Sequence, residues 1–189
     1  MISRKEAKKQ LVLQMGSTDN VTATEAVRQL RERGWLIDGT LRGAYLNHAN
    51  LTGIDLNCAD LKNADLSHTI LTDTTLDFAD MENINLIGAK LNEASLIGAK
   101  LVDSRMGWAE LCGAKFGHAN LTNAKMFKAK YDTTTRWSDN FDPINFGAEP
   151  IGCDEEKNKK PLIPPSQQFW SLIFQIIQIV QKGLKRLFH

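Results

Sequence analysis

Two histidines, His48 and His68, stand twenty residues apart with Cys58 midway between them, and Cys112 and Cys153 complete the thiols. Imidazoles and thiolates ligate zinc and form nucleophile–base pairs, so chemistry would be sought here first. The spacings argue against both. Three cysteines are an odd set that lacks zinc-site steps and a disulfide framework. They read as reduced thiols, which suits a cytoplasmic protein, with peripheral contact at a membrane surface a further expectation. No serine–histidine–acid or cysteine–histidine set converges. No catalytic residue, metal or cofactor is therefore expected, and the chain is not read as an enzyme.

The elements that must position these residues are set by a five-residue period. Leu36, Leu41, Leu46, Leu51 and so on to Leu121, Met126 and Tyr131 form one large apolar column, with Met81, Met106 and Phe116 among its members. Two residues before each stands a mostly small one, such as Ala44, Ala49, Ala59, Ala64 or Ala89, with Ile54 and Ile84 as bulky exceptions. A period of five suits neither a helix nor an alternating strand. Such self-similarity means stacked units that bury their faces on one another. Two residues in five point inward and three outward, with a corner at each step, so four steps close a square coil of twenty residues. Gly53, Gly88, Gly98, Gly113, Asn63 and Asn83 suit the repeated turns.

The units Ala49-Asn50-Leu51-Thr52-Gly53, Ala59-Asp60-Leu61-Lys62-Asn63 and Ala89-Lys90-Leu91-Asn92-Glu93 resemble the A(D/N)LXX motif of the pentapeptide repeat family. That resemblance implies an all-β solenoid, a right-handed quadrilateral β-helix. Twenty centres give about five coils and a stack of about 24 Å at the usual strand spacing. The segment Tyr131 to Trp137 and the step Phe141-Asp142-Pro143 are similar to the closing segment of many cyanobacterial members. Four regions follow: an N-terminal helical cap over 1–35, the β-helix over 36–137, a closing segment and linker over 138–165, and a C-terminal amphipathic helix over 166–189.

In the cap, residues 3–15 form one helix stopped by Gly16. Thr22 and Glu25 have capping-box spacing for a second, which Gly34 ends. Arg28, Arg31 and Arg33 are expected on its solvent side. Beyond the repeats, Trp137, Phe141 and Phe146 are expected to cover the last coil. In the tail, Ser171, Gln175, Gln178, Lys182 and Lys185 form a narrow polar stripe on a helix otherwise built from residues such as Phe169, Trp170, Ile173, Phe174, Ile177 and Val180, with Arg186 near its end. This pattern is short and glutamine-dotted for a membrane span. It suits a membrane interface, a second copy of the chain (a homodimer) or packing on the β-helix itself.

Residues twenty apart lie above one another, which places the chemistry. His48, His68, Gly88, Trp108 and Lys128 share a column, beside Asn47, Ser67, Ile87, Gly107 and Phe127. Ile87, Trp108 and Phe127 are expected to form an exposed apolar patch for a partner protein, with His48 and His68 toward the other end. Cys58 falls on another side, so no metal site assembles. Before each central residue the outward position is Asp55, Asp60, Asp65 and Asp80 early, then Lys90, Lys100, Arg105, Lys115, Lys125 and Lys130. The function expected is a non-catalytic protein-interaction scaffold, membrane-tethered or self-associating through its C-terminal helix. The alternative the resemblance implies, a DNA mimic that modulates a topoisomerase, needs a sustained negative surface. The basic second half and a net charge of only +1 count against it, and against nucleic acid as a partner.

Overall fold

A computed structural model describes residues 2–151. The tail helix expected over 166–189, with Phe169, Trp170, Ile173, Phe174, Ile177, Val180, Lys182, Lys185 and Arg186, lies outside the described residues. Among those described, no helix is long and apolar enough to cross a membrane.

The repeat unit shows why its five positions hold the residues they do. In 66–70, the Leu66 N–H donates to Asn85 O, His68 N–H to Ile87 O and Ile70 N–H to Ala49 O, at 2.8–2.9 Å. Each of these bonds joins one coil to the next. The Thr69 N–H closes a four-residue turn onto Leu66 O at 3.2 Å. Only the third residue of that turn, His68, has a positive φ, as in a type II turn. One donor remains, the Ser67 N–H, and the Asp65 carboxylate accepts it at 3.0 Å. Asn50, Asp55, Asn85 and Asn120 do the same for Thr52, Asn57, Ile87 and Thr122. In these units the Asp or Asn before the central residue thus meets the one amide the backbone leaves unpaired, whereas Asp60 and Asp80 instead pair with Arg42 and Lys62.

Parallel bridges from Tyr45↔Asp65 to Glu110↔Lys130 all join residues twenty apart, so four pentapeptides make a coil. The inward columns are buried throughout: Leu46, Leu66, Leu86 and Met106 are fully covered, as are Ala49, Ala89 and Ala109. Polar residues in the small column pair across coils. Thr69 Oγ1 donates to Leu46 O (2.9 Å) and Thr74 Oγ1 to Leu51 O (2.7 Å). Ser104 is buried in the same way, and its hydroxyl has no partner among the described residues.

Helix α1 (Arg4–Met15) and helix α2 (Asn20–Glu32) precede the coils. Leu11 and Met15 of α1, and Ala23, Ala26, Val27 and Leu30 of α2, join the hydrophobic core. The cap of α2 is Asp19, which accepts from the Thr22 N–H at 3.0 Å and its hydroxyl at 2.6 Å. The helix therefore starts three residues before the Thr22–Glu25 box that the sequence suggested. Arg31 does not simply face solvent: its guanidinium reaches the Asp55 carboxylate at 3.0 Å and ties α2 to a coil. Lys8 does the same from α1, on Asp38 at 2.6 Å. Arg28 pairs with Glu25 and Glu32 on the outer side of α2, and Arg33 lies 5.3 Å from the Trp35 ring centre.

The ladder runs past the boundary expected at Trp137. Lys115 pairs with Arg136, a step of twenty-one that absorbs one extra residue. A short 3₁₀ turn, Pro143–Phe146, then lets strand β2 (Glu149–Pro150) pair with β1 (Lys130–Tyr131), a step of nineteen. Between them the end is closed by aromatics, as expected. Trp137 lies flat on buried Phe116 at 4.8 Å, Phe141 packs on Trp137 at 5.3 Å, and Phe146 on Phe141 at 4.6 Å.

Candidate interaction face

The third residue of every turn takes the left-handed conformation, which only glycine adopts without cost and which asparagine, aspartate and histidine tolerate. Most occupants obey: Asn63, Asp73, Asn83, Asp103, His118 and Asn123 join the glycines. Trp108 (φ 56°) and Phe78 (φ 57°) do not. A bulky ring at such a position is conformationally costly, and this kind of cost gathers at functional sites.

Side chains at these positions lean over the next coil. The His48 ring stacks on His68 with centroids 5.3 Å apart and planes 9° from parallel. His68 in turn covers Gly88, where a Cβ would come within 2.6 Å of its Nδ1. The column thus has a histidine stack, a bare glycine, then Trp108. Gly88, which carries no side chain, stands between the histidine stack and Trp108 in this column. Among the described residues, no group of three or more His, Cys, Asp or Glu is placed to hold a metal ion.

Trp108 and Phe127 do come together. Their centroids are 5.4 Å apart at 87°, the edge-to-face arrangement aromatic rings prefer, and both are more than half exposed (56% and 57%). Lys128 Nζ lies 5.5 Å from the Phe127 ring centre. Ile87 is half-buried rather than exposed, which narrows the expected patch to the aromatic pair. Phe78, 65% exposed, is a further bulky ring at a left-handed position. Its ring covers Gly98 at 2.7 Å from a virtual Cβ, and reading the Cys58, Phe78, Gly98, His118 column at the same spacing finds it.

The charges divide along the coils. Early cations are paired with acids: Arg42 with Asp60 (2.7 Å), and Lys62 with Asp80 and Glu82 (both 3.1 Å), while Lys100 reaches back to Asp80 at 3.5 Å. Burial alone raises the Asp65 carboxyl, but bonds from Ser67 and Asn85 and the nearby Arg105 charge leave it below the ordinary carboxylate range. Cys112 moves the other way, its thiol raised by burial and by the Asp132 and Glu110 charges, so it is a poor nucleophile.

Comparison with known proteins finds the same kind of repeat in the sequence. The family model for pentapeptide repeats matches residues 40–73 and 69–107, in eight copies. Among solved structures, a pentapeptide repeat protein from Nostoc PCC 7120 is 29% identical over 67% of this chain and 93% of its own, with a TM-score of 0.36. Rfr23, a pentapeptide repeat protein from the cyanobacterium Cyanothece 51142, is 36% identical over 51% of this chain and 62% of its own, with a TM-score of 0.32. One from the Arabidopsis thaliana thylakoid lumen is 24% identical over 50% and 70%, with a TM-score of 0.42. Curated proteins give no match. Residues 40–107 of this chain thus match the pentapeptide-repeat family.

Proposed function

We propose that this protein is a non-catalytic interaction scaffold, a right-handed rod of about five coils closed at its start by α1 and α2. Its partner protein docks on the face that carries Trp108 and Phe127. The observation behind this reading is the aromatic pair itself. Two rings stand exposed on a regular solenoid, one of them at a backbone position that favours glycine. Exposed aromatic anchors of this kind supply the central contacts of protein interfaces.

The segment with Phe169, Trp170, Ile173, Phe174, Ile177 and Val180, followed by Lys182, Lys185 and Arg186, attaches the scaffold to a membrane surface or pairs it with a second copy. Working in the cytoplasm, it is peripheral to the membrane when tethered. Duplex mimicry toward a topoisomerase is the weaker reading, because the cations from Lys90 onward interrupt any continuous negative surface.

Affinity capture from the native host tests the scaffold, comparing the wild type with Trp108→Ala/Phe127→Ala. A protein retained by the first and lost by the second is expected, and an unchanged profile refutes the face. Flotation with liposomes and light scattering, on the full chain and on a chain ending at Pro165, test the attachment. Equal flotation removes the membrane role, and equal mass removes self-association.

A further inference from the structure

Resting on the scaffold reading, we infer that the docking face recognises an acidic protein segment, whose carboxylates meet Arg105, Lys125 and Lys128 around the Trp108–Phe127 pair. The fold has a use for an acceptor at the position before a central residue. An Asp or Asn there accepts the one amide the coil leaves unpaired, as Asp65 does for Ser67 and Asn85 for Ile87. The same column continues with Arg105 and Lys125, which bridge one another across adjacent coils. Neither offers an acceptor, so Gly107 and Phe127 receive no such bond from them. Each of these cations forgoes that hydrogen bond, although the Arg105 charge still helps to lower the Asp65 carboxyl. Their charge answers to something outside the coil.

Their surroundings say what. Arg105, Lys125 and Lys128 are all exposed, and none lies within ion-pair distance of a carboxylate among the described residues. From Leu101 to Tyr131 five cations face two acids, Asp103 and Glu110, whereas from Leu41 to Asp80 two cations face six acids. The earlier cations are held in ion pairs; these three are not. Their charges surround an apolar centre, the arrangement in which complementary charge steers an acidic partner and an aromatic pair anchors it. A protein segment fits better than nucleic acid, since three cations on an outward solenoid face form neither the groove nor the long cationic track that strand binding uses.

The test measures fluorescence anisotropy with the full chain. The probe is a labelled peptide of repeated Glu-Glu-Leu triplets. Its lysine counterpart, a thymidine oligonucleotide, and phosphatidylserine vesicles are run beside it. The acidic peptide is expected to bind, weakening as salt rises, and Arg105→Glu/Lys125→Glu should weaken it by about tenfold or more. Trp108→Ala should also weaken it, while Lys115→Glu, in a different column, should leave it unchanged. Arg105→Gln/Lys125→Gln gives the same readout if the charge reversal does not fold. Tighter binding of the oligonucleotide or vesicles through the same residues overturns the inference, and so does an unmoved affinity in the charge variants. No peptide binding, alongside a host protein still captured in a Trp108- and Phe127-dependent way, overturns the acidic chemistry and leaves the scaffold reading standing.

Discussion

Thr74 and Ser104 occupy the same small inward position of the repeat on different sides of the coil, and their hydroxyls have opposite values for stability. Thr74 Oγ1 donates to Leu51 O, twenty-three residues back, at 2.7 Å. The residue twenty-three before Ser104 is Met81, yet the Ser104 hydroxyl is buried without a partner among the described residues. Replacing Thr74 by valine keeps the shape, removes the donor, and should cost about 1 kcal/mol. Replacing Ser104 by alanine removes a buried group whose desolvation costs about 1–3 kcal/mol, while leaving a void of one oxygen, so a net gain of about 1 kcal/mol is expected. For a chain of this length each kcal/mol moves the melting temperature by about 2–4 °C. Urea unfolding followed by circular dichroism reads both, and the slope should stay constant so that midpoints compare. Losses of similar size in both variants would refute the reasoning, because Ser104 would then be paired in solution.

The inward and outward columns should also separate. Leu86→Ala, at a fully buried centre, should cost about 2–5 kcal/mol, while Trp108→Ala should stay within about 0.5 kcal/mol in the same urea titration. Gly53 and Gly98 share a φ near +66°, but a Cβ at Gly53 meets nothing and one at Gly98 meets the Phe78 ring. Gly98→Ala should therefore be less stable than Gly53→Ala by about 0.5–1.5 kcal/mol, an excess that Phe78→Ala removes. Asp132 accepts from Thr134, Gly113 and Thr135, and these bonds hold its carboxyl below the ordinary 3.8. Its contribution is present above that value and lost as pH falls through the lower folded one, so the urea midpoint of wild type should approach that of Asp132→Asn only once the pH falls below 3.8.

The solenoid was legible because burial repeats with the sequence: every fifth residue is inward, and no long-range guess is needed to align Leu46 on Leu66. The ends were not, since their register breaks the period. One extra residue before Arg136 and one fewer before Glu149 hide a ladder that continues to Pro150. The start of α2 was misplaced because Thr22–Glu25 imitates a capping box, while Asp19 offers a carboxylate that both Thr22 groups reach. Arg31 looked outward on a helical wheel, but the wheel cannot show that Asp55 lies beneath it.

The face was half legible. Column spacing brought Trp108 beside Phe127, yet it could not show that Ile87 is half-buried. Nor did the motif say why Asp or Asn so often precedes a central residue. That reason, an amide left over by the coil, is what turns Arg105 and Lys125 from surface charge into a signal.

The central claim is that the inward columns carry the fold and one outward face carries the function. Placing a photo-cross-linking amino acid at position 108, or at position 123, in the native host tests it most directly. Asn123 has the same left-handed backbone as Trp108, with φ 57° against 56°, and is likewise exposed, but it stands in a different column. A discrete protein adduct at 108 and none at 123 is the predicted result. Adducts of the same pattern at both positions, or none at 108, would contradict the account.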